Sequence, residues 1–147
     1  MIVFLDTSAL AKRYVEEEGT DELLALWDRA GYVAVSRLAY AETVAAFRRK
    51  QREEPPNSAA VELALSRFRR EWGALVVVEL SERLRPAIDR LLRAHTLRGA
   101  DAVHLSSALL LDAEVAEPMA FGCWDRGLLA AARREGLETV PGEPAGT

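Results

Sequence analysis

Four acidic side chains stand where chemistry is possible. Asp6 ends the apolar run Ile2-Val3-Phe4-Leu5. Asp125 follows the weaker run Pro118–Phe121, and Asp101 opens a helical segment just after Gly99. Glu42 interrupts Leu38–Ala41 and Thr43–Phe47, with Leu38, Ala45 and Ala46 at its i−4, i+3 and i+4 positions, which puts it on or beside an apolar stripe. A carboxylate placed there costs several kcal/mol unless it is paired or holds a metal. Each acid also has a local explanation: Asp6 and Asp125 as helix caps, Asp101 as an answer to a helix dipole, Glu42 as the partner of an arginine. Four carboxylates on one sheet edge would repel one another, and a bound divalent cation accounts for all four at once. With one cysteine, Cys123, and two histidines, His95 and His104, no Cys/His zinc site can be built, so any metal is held mainly by oxygen. That selects Mg²⁺ or Mn²⁺.

The elements that must position these acids follow from the patterning. Continuous apolar runs at Ile2–Leu5, Tyr32–Val35, Leu75–Leu80 and Pro118–Phe121, with a short Glu138–Val140, suit strands covered on both faces. Helical segments lie between them, which predicts an α/β fold with a mostly parallel sheet of four to five strands. Thr7 or Ser8 starts a helix running to Glu18 and stopped by Gly19, and Thr20 caps the next. Ser36 caps a longer helix to about Arg52; Pro55-Pro56 breaks it, and a second arm ends near Gly73, giving an αα-hairpin. Pro86 leaves two readings open, a helix that begins there or one kinked there. A helix spans about Ala100–Ala113, and Asp125 caps the last helix, which ends at Gly136. In open parallel sheets ligands bind at the carboxyl ends of strands, where Asp6 and Asp125 stand.

The chain has 147 residues, half of them apolar and 29% charged, which suits one domain at 1–140 with a mobile tail at 141–147. The net charge of −4 argues against nucleic-acid binding by bulk charge but leaves room for a local basic face. No signal peptide or spanning segment is visible, so the expected setting is soluble and cytoplasmic, with no membrane partner.

Four blocks of the sequence, in order, resemble the PIN-domain ribonucleases of the VapC toxin type. They are Asp6-Thr7-Ser8-Ala9-Leu10 through Gly19, Leu38-Ala39-Tyr40-Ala41-Glu42-Thr43, Leu97-Arg98-Gly99-Ala100-Asp101-Ala102-Val103-His104-Leu105, and Trp124-Asp125-Arg126-Gly127 through Leu137. The resemblance covers nearly the whole chain. It implies a three-layer α/β/α PIN-like fold and Asp6, Glu42, Asp101 and Asp125 as a catalytic, Mg²⁺- or Mn²⁺-holding site, with Thr7 or Ser8 lending a hydroxyl. It also implies hydrolysis of RNA phosphodiester bonds by a dimeric toxin of a type II toxin–antitoxin pair, silenced by a small antitoxin. A PIN nuclease of RNA maturation without an antitoxin, or an inactive PIN binding module, are the alternatives. The family often has Thr or Ser where this chain has Cys123, which removes a hydroxyl beside Asp125. Arg98 and Arg126 flank the acids and suit phosphate contact or charge balance. Trp124 is read as packing or as a stacking platform, and His104, three residues after Asp101, as a packed histidine rather than an acid or base.

Overall fold

The computed structural model describes residues 1–142; the rest of the expected tail, 143–147, lies outside the described residues. Five strands, β1 (Ile2–Leu5), β2 (Tyr32–Ser36), β3 (Val76–Val78), β4 (Met119–Gly122) and β5 (Glu138–Val140), form one sheet in the order β3-β2-β1-β4-β5. Every pairing is parallel. Seven helices connect them: α1 (Thr7–Ala11), α2 (Thr20–Arg29), α3 (Leu38–Glu53), α4 (Ser58–Trp72), α5 (Arg85–Ala94), α6 (Gly99–Glu114) and α7 (Arg126–Arg134).

Side-chain alternation along β1 divides the molecule into three layers. Ile2 and Phe4 face a core completed by Leu91 of α5, Leu105 and Ala108 of α6, and Leu128 and Ala132 of α7. Val3 and Leu5 face the other, built from Leu10 of α1, Leu23 and Leu26 of α2, Phe47 of α3, and Leu65 and Phe68 of α4. Because both faces are covered, β1 is buried along its whole length, which is why it reads as an unbroken apolar run. The sheet order reverses at β1: β2 and β3 lie on one side, β4 and β5 on the other. The crevice between the carboxyl ends of β1 and β4 is therefore the switch point of the sheet.

Some bounds differ from the sequence expectation, β3 among them with Val76–Val78 in place of Leu75–Leu80, and the open reading at Pro86 is decided. The first helix stops at Ala11, with Lys12 as C-cap, rather than running to Glu18. Glu16-Glu17-Glu18 would have placed three acids at the negative end of a helix dipole. The segment instead forms turns, closed by Thr20, whose hydroxyl accepts from Glu17 N (3.0 Å) and contacts Val15 O. Thr20 is the first residue of α2, and Gly19, at φ 91°, is its N-cap. At Pro86 the helix-start reading holds: a 3-10 turn (Glu82–Leu84) precedes α5, whose first turn takes the proline where its missing N–H has no partner to lose. Of the expected tail, Pro141 is tied by its carbonyl, which accepts from Arg133 Nη2 at 2.8 Å. No helix among the described residues is long and apolar enough to cross a membrane.

Phe4 and Phe121 stack across the β1–β4 pair, with centroids 5.9 Å apart and both side chains fully buried. We expect Phe121→Ala to cost about 3–5 kcal/mol of unfolding free energy in urea titrations. A loss below about 1 kcal/mol would show that this core does not hold the switch point together.

Candidate acidic site at the carboxyl edge of the sheet

Asp6 leaves the sheet at the end of β1 and caps α1 with its own side chain. Oδ1 accepts from Ala9 N at 2.9 Å, and the Ser8 hydroxyl donates to the carboxylate at 2.8 and 2.9 Å. Its backbone N–H donates to the Gly122 carbonyl, which extends the β1–β4 ladder into the site. The residue is only 5% exposed. Burial pushes its carboxyl above the ordinary range, against the Ala9 N–H, the Ser8 hydroxyl, the nearby His104 and the Cys123 thiol, all of which favour the ionised form. Among the described residues it makes no ion pair.

Glu42, on the first turns of α3, meets two donors at one oxygen. Thr7 Oγ1 donates to Oε1 at 2.7 Å, and His104 Nε2 lies 2.6 Å from the same atom. A carboxylate only accepts, so Nε2 carries the hydrogen in this contact. The Thr7 hydroxyl is itself 3.3 Å from Nε2, which closes a three-residue cluster from α1, α3 and α6. The Glu42 carboxyl is held below its ordinary range, chiefly by the His104 hydrogen bond, with Thr7 and the charge of Arg98 adding to it against burial. The carboxylate beside an apolar stripe is thus satisfied by a histidine and a threonine, not by an arginine.

Asp125 caps α7, with Oδ1 accepting from Leu128 N at 2.9 Å. Cys123 joins it to Asp6. The Asp125 N–H donates to Cys123 Sγ at 3.3 Å, and the thiol donates to Asp6 Oδ2 at 3.4 Å. The cysteine is fully buried, and burial together with the Asp6 charge pushes its thiol well up, so it stays protonated and able to donate. Sulfur therefore keeps the bridge whose loss the sequence implied.

Asp101 occupies the third position of α6, where its side chain reaches back to the backbone N–H of the N-cap residue Arg98. Its Oδ2 is 3.4 Å from both Arg98 N and Arg98 Nε, and the Arg98 side chain is 82% exposed. One helical turn along α6 from Asp101 stands His104. Arg126, the first residue of α7, is exposed and unpaired among the described residues.

The four acids thus reach one edge from β1, α3, α6 and α7, but each is satisfied by donors of its own. Asp6 and Asp125 communicate through the Cys123 thiol, and Glu42 meets α1 and α6 through Thr7 and His104. Among the described residues, no three Asp, Glu, His or Cys side chains stand close enough to enclose an ion as they are. The donor chemistry nonetheless fits a hard divalent cation, because the acids and hydroxyls here offer oxygen. The fit rests on Asp6, a carboxylate buried without a cationic ion-pair partner among the described residues. Sequence reasoning passed over His104 as a packed histidine; it is packed, and it also grips Glu42. Its i+3 spacing from Asp101 was the available signal. Lys12 was missed: it is 7% exposed, with Nζ 3.1 Å from Glu17 Oε1 and 5.3 Å from the centre of the Trp124 ring.

A raised folded-state carboxyl makes the ionised form of Asp6 the costly one. Its contribution to stability is complete below the unfolded-state value, near 3.9, and is lost as the pH rises through the folded-state value. Metal-free Asp6→Asn keeps the acceptor oxygen for Ala9 and loses the charge. We expect it to melt higher than the parent at pH 7 and to converge with it at pH 3, by calorimetry in EDTA. A variant that melts lower at pH 7 would show that the charge is needed by the fold itself.

Residues 3–117 match the family model described as PIN domain, a span that includes Asp6, Glu42 and Asp101 but stops short of Asp125. Ribonuclease VapC45 of Mycobacterium tuberculosis (strain CDC 1551 / Oshkosh) is 36% identical over 143 residues, 97% of this chain and 96% of that protein. Among solved structures, a toxin–antitoxin complex from Klebsiella pneumoniae superposes with a TM-score of 0.63 at 16% identity, covering 87% of this chain and 90% of that one. Mycobacterium tuberculosis VapC20, described as a sarcin–ricin loop cleaving toxin, superposes with a TM-score of 0.60 at 19% identity, covering 88% and 94%. The architecture, the near full-length likeness and the order of the acidic blocks agree: this chain belongs to the PIN domain family.

Proposed function

We propose that this chain is a divalent-metal-dependent endoribonuclease, the toxin component of a toxin–antitoxin pair. The observation that carries the reading is Asp6, a buried carboxylate at the switch point of a parallel sheet with no cationic ion-pair partner among the described residues. The relative named as a ribonuclease, 36% identical over almost the whole chain, supports RNA as substrate. Asp6, Glu42, Asp101 and Asp125 are the residues that would hold Mg²⁺ or Mn²⁺. When bound, such an ion lowers the pKa of water and neutralises charge developing on a phosphate.

The protein's own contribution is positioning. Ser8 and Ala9 N–H fix the Asp6 carboxylate, the Cys123 thiol couples it to the start of α7, and Thr7 with His104 fixes one Glu42 oxygen. The other Glu42 oxygen is left for a ligand. Arg98 and Arg126 supply positive charge beside Asp101 and Asp125, where an RNA backbone meets an otherwise acidic edge.

The toxin–antitoxin complex among the structural neighbours supports an antitoxin partner for this chain. A homodimer belongs to the same reading. Its support lies in the exposed apolar residues Leu63 (73%) and Leu80 (52%), not in the tryptophans. Trp72 packs on Tyr40 and Phe68 within the hairpin, and Trp27 lies under Arg13. Light scattering across a tenfold or greater dilution is expected to show dissociation from dimer; a monomer at every concentration would remove the dimer from the reading.

Purified protein free of antitoxin is expected to cleave single-stranded RNA with Mg²⁺ or Mn²⁺, to lose activity in EDTA and to regain it with Mn²⁺. Asp101→Asn is expected to lower the rate at least ~100-fold while costing no more than about 1 kcal/mol, the value of a helix-start residue. The control Asp112→Asn, exposed near the other end of α6, leaves the rate unchanged. Full activity in EDTA would overturn the metal-dependent reading.

A further inference from the structure

Beside the acidic edge lies a cleft of about 670 Å³ between the turns after α1, the start of α7 and the end of β5. Its lining differs in kind from the site next to it. Lys12, Arg126 and Arg133 bring three positive charges, Glu18 one negative, and Trp124 with Leu129 supplies an apolar wall. In a chain of net charge −4 this is a local reversal of sign. It adjoins the site directly, since Trp124 and Arg126 flank Asp125 in sequence.

The cations are placed, and two of them make no ion pair among the described residues. The Arg133 guanidinium is oriented by neutral acceptors, with Nε on Thr139 Oγ1 at 2.9 Å and Nη2 on the Pro141 carbonyl at 2.8 Å, and it meets no carboxylate among the described residues. Arg126 makes no ion pair among the described residues. Lys12 is spent differently: its ammonium pairs with Glu17 and lies over the Trp124 ring. The indole is also held at its edge by Gly19. A Cβ built on that glycine would fall 2.5 Å from Trp124 Nε1, and the φ of +91° disfavours any other residue. Trp124 is therefore held in place from two sides while it still lines the cleft.

The geometry points to a nucleotide subsite: the cleft takes the nucleotide that flanks the cleaved bond of a single-stranded RNA. Arg126 and Arg133 hold the two phosphates that flank it, one each, and its base lies against Trp124 and Leu129. A positioned, uncompensated guanidinium suits a phosphate oxygen, and an aromatic wall suits any base, so the subsite fixes the strand's position more than its sequence. The inference rests on the ribonuclease reading and deepens it, for an acidic centre that cuts a polyanion needs such an anchor beside it.

The test reads binding apart from cleavage. Fluorescence anisotropy of a labelled twelve-nucleotide single-stranded RNA, in EDTA and over a series of salt concentrations, is measured for the parent, Arg126→Gln, Arg133→Gln, the double variant and Arg29→Gln, an exposed arginine outside the cleft. Each lost phosphate contact on a single strand lowers the slope of log K against log salt by about 0.7. The double variant is expected to bind at least tenfold more weakly, with a slope lower by about 1.4, and Arg29→Gln to match the parent. Arg133→Gln also loses its bonds to Thr139 and Pro141, so Arg126→Gln, which breaks no bond in the fold, must show its own drop of about 0.7 in slope. An abasic strand of equal length is expected to bind the parent more weakly than RNA. Parental affinity and slope in the double variant, or equal binding of abasic strand and RNA, would overturn the subsite. Loss of a poly-glutamate peptide with RNA binding unchanged would make the cleft a peptide site and overturn it equally. Cleavage by the parent in Mg²⁺, assayed alongside, shows whether the ribonuclease reading stands when the subsite falls.

Discussion

Everything in this molecule is hung on four residues of β1 that are buried on both faces. Ile2 and Phe4 belong to one core, Val3 and Leu5 to the other, so this central strand, buried along its whole length, ties the two cores together. Its neighbours in the sheet, β2 and β4, are recruited from opposite directions, and the crevice they leave opens at its carboxyl end. A charged residue placed there is fixed by the best-packed backbone in the protein while its side chain is drawn out of water. Asp6 is in that position, and the described fold does not offset the cost of its burial with an ion pair.

Much of this was readable from the sequence, and the reasons are local. Strands covered on both sides show as continuous apolar runs, so β1, β2 and β4 appear where the pattern puts them, within a residue. Asp6 and Asp125 follow strands and start helices, and both cap as their positions suggest. What was not readable depends on side chains distant in sequence. The grip of His104 on Glu42 spans 62 residues, and the Cys123 contact with Asp6 spans 117. Neither leaves a periodic trace. The short α1 was missed for another reason: its apolar spacing continues past Ala11, but the acids at 16–18 make the helix end costly. Lys12 gave no signal because a buried lysine over a tryptophan looks, in sequence, like any surface lysine.

The acids also show that convergence and repulsion are separable. Asp6 is met by a backbone N–H, a hydroxyl and a thiol; Glu42 by a hydroxyl and an imidazole; Asp101 by the backbone N–H and guanidinium of Arg98 at the start of its helix; Asp125 by the Leu128 N–H of α7. Four negative groups are thus tolerated on one edge because each is stabilised by its own element. The described fold holds them without asking them to share a counter-charge, and the positive charge nearby, at Arg98, Arg126 and Arg133, stays at the surface.

The pairing of β1 with β4 joins Ile2 to Met119, so the centre of the sheet is made from two segments far apart in the chain. During synthesis, at roughly 5–20 residues per second, Asp6 emerges well ahead of Cys123 and Asp125 and waits on the order of ten seconds for them. A nascent chain that has not yet delivered β4 has no second wall to its crevice and no thiol to hold the Asp6 carboxylate. The acidic edge therefore comes into being in a single late event, once β4 has been delivered, and fragments truncated before β4 lack it altogether.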